Sequence, residues 1–360
     1  MNGNLFRTYS SENGVMLYTY WVEHSKEVRT IAANTTLLPI TSVAISETKY
    51  TPLFHQLEAL EINSSGYNDG GMGYIVRLSD GRFIIVDGGH YTEDDATAIV
   101  NFLKENAPDS SNIVVATWLI THAHGDHAGA FTYLFEKLDT SNITLESMMF
   151  NACDTAEQMT YCTSYTENIM NVLNTHCKNV PVYKPLTGQV YTFADTSIEI
   201  LYTMSDFLPN TIEYESDGKG GDYNIQTVVS IIDIDNTADK NDRFFIMGDT
   251  TLTACQEMTR RYGTYMQCDY VQVAHHGLNE ITGLENNRRH GPDQATYKSI
   301  LKFDANNNPL TIALWPTSKE RYTDRTEITD IAVNKWLIKN VKANWIAGEA
   351  THTIEFSISA

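Results

Sequence analysis

The chain has 360 residues, 42% of them hydrophobic and 19% charged, which is enough apolar material for a packed α/β core and excludes disorder as the general state. Asp and Glu outnumber Lys and Arg by 45 to 25, and the resulting net charge of −20 argues against a non-specific nucleic-acid binder. No apolar run is long enough to span a membrane, the start Met1-Asn-Gly-Asn-Leu-Phe6 lacks a signal peptide's basic and apolar regions, and five cysteines without a CxxC pair indicate neither a disulfide framework nor a cysteine zinc knuckle. The expectation is a cytoplasmic protein.

Residues 1–54 carry strand-like runs, Val15 to Val22 and Leu37 to Ile45, and read as an N-terminal extension with no chemistry-bearing residues; residues 55–360 read as one unit. That unit opens on a β-meander: Glu58 to Ile62, Gly73 to Leu78, a turn at Ser79-Asp80-Gly81, and Phe83 to Val86 ending in Asp87-Gly88-Gly89. Glu93 to Leu103 has helical periodicity, with Ala96, Ile99, Val100 and Leu103 on one face. Ile113 to Ile120 is an almost continuous apolar run, the pattern of a strand covered on both sides. Further helices are predicted at Phe131 to Leu138, Ala156 to Leu173, Leu252 to Tyr265 and Ile328 to Ile338. Strands are predicted at Met148 to Phe150, Ile198 to Tyr202, Thr227 to Ile234, Phe244 to Met247, Tyr270 to Val273 and Thr311 to Trp315. Strand-rich halves interleaved with helices imply a layered α/β sandwich.

The chemistry concentrates directly after the buried strand, in Thr121-His122-Ala123-His124-Gly125-Asp126-His127. In an extended loop, His122 and His124 point to the same side, and Gly125 permits a turn that brings Asp126 and His127 back to that point. Imidazole nitrogens with a carboxylate oxygen form a ligand set for Zn²⁺, or less selectively for Mn²⁺ or Fe²⁺. With 11 His in the chain, three histidines at these offsets arise by chance in only about one such chain in a hundred.

This segment resembles the HxHxDH hallmark of the metallo-β-lactamase superfamily, and the resemblance runs in order from about residue 55 to 360. Asp87 resembles the family's strand-end aspartate, which supports the site from behind the ligands. Asp249 in Phe245-Ile-Met-Gly-Asp-Thr250 resembles the bridging carboxylate, and His275-His276-Gly277 the final ligand motif. Many members carry a further histidine between these motifs. Here residues 128–248 contain only His176, which reads as a surface or capping residue, and Tyr223-Asn224 stands where that histidine is expected. Asn224 together with HHG is similar to ComEC-type hydrolase domains and the phosphorylcholine esterases.

The resemblance implies a four-layer αβ/βα sandwich and two metal ions, zinc first and manganese or iron next. Metal one would take His122, His124 and Asp249; metal two would take Asp126, His127, His276 and the shared Asp249, with Asp87 and Asn224 behind them. Asp126 and His275 are the candidate catalytic residues, His275 for orienting substrate or protonating a leaving group. The activity implied is hydrolysis of a small-molecule phosphodiester or other phosphate ester by a water held between two cations. Lactone or carboxylic ester hydrolysis and a non-catalytic metal-binding module are the alternatives. Arg288, Arg289, His290, Lys319, Arg321 and Arg325 are candidates to bind a substrate phosphate.

Overall fold

The computed structural model describes residues 11–12, 15–16, 50–59, 71–151, 163–203, 223–237, 240–278, 291–323, 328 and 331–356. Alternating apolar residues build two sheets, and helices cover the outer face of each. The first sheet runs in the order β17(His352–Glu355), β3(Leu53–Gln56), β4(Gly73–Arg77), β5(Phe83–Asp87), β6(Ile113–Ile120), β8(Met148–Phe150), β9(Val182–Tyr183), with the short β7(Ile143–Leu145) also pairing β6. The second runs β10(Val190–Phe193), β11(Thr196–Tyr202), β12(Val229–Thr237), β13(Lys240–Ile246), β14(Tyr270–Gln272), β15(Ile312–Trp315), β16(Ala343–Ile346). A separate two-residue pair, β1(Ser11–Glu12) with β2(Val15–Met16), and residues 50–54 are what is described of the predicted extension. The boundary expected at residue 54 falls inside β3, which is paired on both sides by β17 and β4.

Three apolar clusters define the four layers. One packs α1(Glu93–Asn106), α2(Gly125–Lys137) and α3(Thr163–Thr175) on the first sheet, through Ile99, Trp118, Phe131 and Ile169. The middle cluster, with Phe54, Tyr74, Leu119, Ile232 and Phe244, fills the space between the sheets. The third packs α4(Leu252–Tyr262), α5(Gln294–Ile300) and α7(Ala332–Lys339) on the second sheet, through Met258, Tyr297 and Leu337. A short α6(Lys319–Thr323) precedes α7. This is the expected αβ/βα sandwich.

The prediction for β6 holds because its side chains feed two cores: Ile113, Val115, Trp118 and Ile120 face the helices, while Ala116 and Leu119 face the second sheet. α1 starts where expected because Thr92 caps it, accepting from Asp95 N at 3.3 Å, and Glu93, Asp94 and Asp95 meet the positive end of the helix dipole. Two expectations shift. The first strand of the meander is Leu53–Gln56 rather than Glu58 to Ile62, of which residues 60–62 lie outside the described residues. The second predicted helix begins at Gly125, six residues before Phe131, so Asp126 and His127 sit on its first turn and not in an extended loop. An acidic residue at a helix N-terminus is electrostatically favoured there, and that signal outweighs the lack of apolar periodicity before Phe131. Residues 156–162 of the next predicted helix lie outside the described residues; the remainder is α3. Among the described residues, no helix is long and apolar enough to cross a membrane.

Candidate metal centre

The parallel strands β5 and β6 end side by side, and their ends carry Asp87 and Thr121-His122. Asp87 is fully buried and works through both oxygens. Its Oδ1 accepts from Thr121 N at 2.7 Å, and its Oδ2 accepts from Thr121 Oγ1 at 2.7 Å and from His127 Nδ1 at 2.8 Å. Because the Thr121 hydroxyl proton goes to Asp87, its oxygen is left to accept from His122 Nδ1 at 3.1 Å. One carboxylate thereby sets the tautomers of two histidines and turns both Nε2 atoms away from itself, the arrangement by which outer partners orient metal-ligating imidazoles.

The second sheet completes the cluster. Gly248, with φ of 53°, ends β13 and delivers Asp249; a Cβ there would stand 2.7 Å from Thr227 Cγ2 and 3.1 Å from Thr121. Glycine meets both the left-handed backbone and the lack of room. After β14, His275 and His276 take φ of 51° and 54°, which costs non-glycine residues about 1–2 kcal/mol each. Their Nδ1 atoms donate to main-chain carbonyls, His275 to Leu278 at 2.9 Å and His276 to Pro316 at 2.5 Å. Both Nε2 atoms thus face Asp249.

Asp249 lies at the middle. Its oxygens are 3.2 Å from His127 Nε2, 3.8 Å from His122 Nε2, 3.7 Å from His275 Nε2 and 3.8 Å from His276 Nε2. His276 Nε2 is also 3.1 Å from Asp126 Oδ2, and His122 Nε2 is 3.0 Å from His124 Nδ1. Two tight groups emerge: His122, His127 and Asp249, then Asp126, His127 and His276. This grouping divides the residues differently from the sequence assignment, since His127 stands in both groups while His124 approaches the cluster through His122.

The donor set fits a cation. His127 Nε2, His276 Nε2 and Asp249 Oδ1 are buried and make no hydrogen bond, although such atoms normally find a partner. The charges agree. Burial opposes the ionised forms of Asp249 and Asp126, but the surrounding histidines prevail, His127 foremost, and hold both carboxyls well below the usual range. Burial likewise opposes a proton on His127, yet Asp249, Asp87 and Asp126 raise its pKa well above the ordinary value. Burial and the neighbouring His127 push His122 the other way. Two ionised carboxylates among buried histidines with unpartnered ring nitrogens form a site where a metal would displace protons.

The other sequence candidates divide. Asn224 is buried on a single turn, Tyr223–Gln226, whose carbonyl at Asn224 accepts from Thr227 N at 3.2 Å, just ahead of the point where Val228 N donates to Thr121 O at 2.9 Å. His176 is exposed just past the end of α3, as expected of a surface residue. Lys319 and Arg321 lie on α6, in the segment that follows the Pro316 carbonyl serving His276. Arg288, Arg289, His290 and Arg325 lie outside the described residues. Thr121 and Pro316 were missed in the sequence: one is an ordinary strand-end threonine, the other acts through its main chain, and neither leaves a motif.

Residues 67–147 match the family model described as Metallo-beta-lactamase superfamily. A comparison with curated proteins gives no match. Among solved structures, the chain is similar to the metallo-beta-lactamase fold protein YhfI from Bacillus subtilis, at 12% identity and a TM-score of 0.48, covering 85% of this chain and 100% of that one. It is similar to yeast PDE1 at 11% identity and a TM-score of 0.48, covering 85% and 100% of the respective chains. It is also similar to CmlA, a diiron β-hydroxylase from Streptomyces venezuelae, at 11% identity and a TM-score of 0.49, covering 86% of this chain and 55% of that one. The family-model match spans the HxHxDH segment, so this part of the chain is similar to the metallo-beta-lactamase superfamily, whose members are generally metal-dependent hydrolases.

Proposed function

We propose that the protein is a binuclear metal-dependent hydrolase acting on a phosphodiester or other phosphate ester. The observation that carries this reading is the position of Asp249, a buried carboxylate ringed by His122, His127, His275 and His276. His122, His124, Asp126, His127, Asp249 and His276 would hold two ions, and imidazole with carboxylate suits zinc, manganese or iron. When bound, such ions lower the pKa of a shared water and neutralise charge on phosphoryl oxygens.

The chain's own residues do the rest. Asp87 fixes the ring of His127 directly and that of His122 through Thr121, so the donor atoms are aimed before any ion arrives. The main chain at Leu278 and Pro316 does the same for His275 and His276. His275 is the more open of that pair, its side chain 19% exposed, so it can meet a substrate and pass a proton from Nε2 to a leaving oxygen. No histidine from residues 128–248 joins the cluster, because the only one there, His176, is on the surface. Zinc β-lactamases generally use such a histidine, so its absence from the cluster favours phosphate esters over β-lactams.

The test is turnover of bis(p-nitrophenyl) phosphate by zinc- or manganese-loaded protein, with chelator as control. Metal-dependent release of p-nitrophenolate is the expected result. Turnover of β-lactams or lactones without phosphodiesterase activity would overturn the assignment.

A further inference from the structure

We infer that Tyr165 is the aromatic wall of the substrate site, and that the phosphate ester taken by the centre carries an aromatic or other planar group next to its phosphorus. The inference rests on the phosphate-ester reading. His122, His127, Asp249 and His276 are sealed from solvent, so a substrate must reach them past residues that are not. Within the two ligand segments, those are His124, Gly125 and Asp126 on one side and His275 on the other. Tyr165 stands at this opening. It projects from α3 and leaves 42% of its surface exposed, one of few large hydrophobic side chains so exposed among the described residues.

Its ring lies against the ligand loop. A Cβ on Gly125 would lie 3.0 Å from Tyr165 Cε1, 3.3 Å from Cζ and 3.5 Å from the hydroxyl oxygen, so the outer end of the ring rests on the glycine between His124 and Asp126. This explains the glycine without a special backbone, since Gly125 is not among the residues with positive φ. The lack of a side chain at Gly125 leaves room for the ring. Further along the same helix, Ile169, Val172 and Leu173 anchor α3 in the core that also holds α2 residues. The Cα atom of Asp126 is only about 3.8 Å from that of Gly125, and the Asp126 carboxylate faces His276. A phosphoryl group at the centre would place its first substituent within reach of the exposed part of the ring. A half-open ring offers dispersion and stacking to a planar substituent and little to a methyl group.

The experiment measures binding, independent of turnover: titration calorimetry of zinc-loaded protein with phenylphosphonate and with methylphosphonate. Wild-type protein should bind the phenyl compound roughly threefold to tenfold more tightly, the range of an aromatic pair. Tyr165→Phe should keep that ratio, and both Tyr165→Ala and Tyr165→Leu should bring it close to one. The ratio is taken within each variant, so a change in metal loading cancels. An unchanged ratio in the Ala or Leu variant would overturn the inference and leave the phosphate-ester reading standing. Failure of wild-type protein to bind either phosphonate would overturn both.

Discussion

The two sheets bring their candidate metal ligands to the same place by different means. On the first, a hydrogen-bond network rooted in Asp87 orients His122 and His127, and the backbone of α2 is tied down by Met72 N donating to Asp126 O at 3.0 Å and Ala130 N donating to Gly89 O at 3.0 Å. On the second, His275 and His276 donate to the Leu278 and Pro316 carbonyls from two consecutive left-handed residues, where the first sheet has the single left-handed non-glycine residue Asp87. A network can be weakened one bond at a time, whereas a strained turn persists only while its surroundings hold it. The comparison teaches that equivalent losses on the two sides should have different signatures.

The sharpest break is at the carboxylate between the two sides. Asp249→Ala should cut the metal content of purified protein from about two ions per chain to below one, because every close histidine loses its common partner. His275→Ala, next to the strained ligand, should keep the metal and lose roughly 10²- to 10⁴-fold in kcat, as for a missing general acid. Metal analysis beside steady-state kinetics separates the two; metal lost in His275→Ala and kept in His276→Ala would exchange the roles of those residues.

A gentler break falls on the network. Asp87→Asn leaves Thr121 and His127 with a poorer acceptor, and metal affinity should fall by about 10- to 100-fold, measured by competition with a chelator. Affinity equal to wild type would mean that packing alone orients the rings.

How much of this was legible in the sequence depends on distance along the chain. HxHxDH is local, and the strand ends carrying Asp249 and His275-His276 keep the family's order, so the cluster could be named from residues alone. The partition of ligands could not: His127 is drawn toward both groups by the α2 helix, whose start at Gly125 had no apolar periodicity to announce it. Thr121, Pro316 and Tyr165 reach the site through tertiary packing, and nothing in their spacing points there.

The smallest effect lies far from the metals, where β17 meets β3. His55 is buried there, stacked on Phe102 with its Nδ1 2.7 Å from Thr353 Oγ1, and burial with the nearby His352 lowers its pKa from 6.5 to about 4. The unfolded chain therefore binds a proton that the folded chain refuses between about pH 6.5 and 4, and stability falls as pH drops through that window. The full shift corresponds to at most roughly 3 kcal/mol. Denaturant titrations of wild type and His55→Gln at pH 7 and pH 5 should show a smaller acid-induced loss in the variant, and equal losses would assign the pH dependence to other groups.

The pairing of β17 with β3 also sets an order of events during synthesis. His55 and Thr353 are 298 positions apart, so the strand that borders β3 leaves the ribosome only after both sheets have otherwise been made. Until then β3 is an open edge, with unpaired main-chain groups and Phe54 beside them. A nascent chain stalled before residue 352 would carry every candidate metal ligand and still present an edge that recruits strands from other molecules. Closure of so distant a contact is slow, and until it forms that edge is open to aggregation.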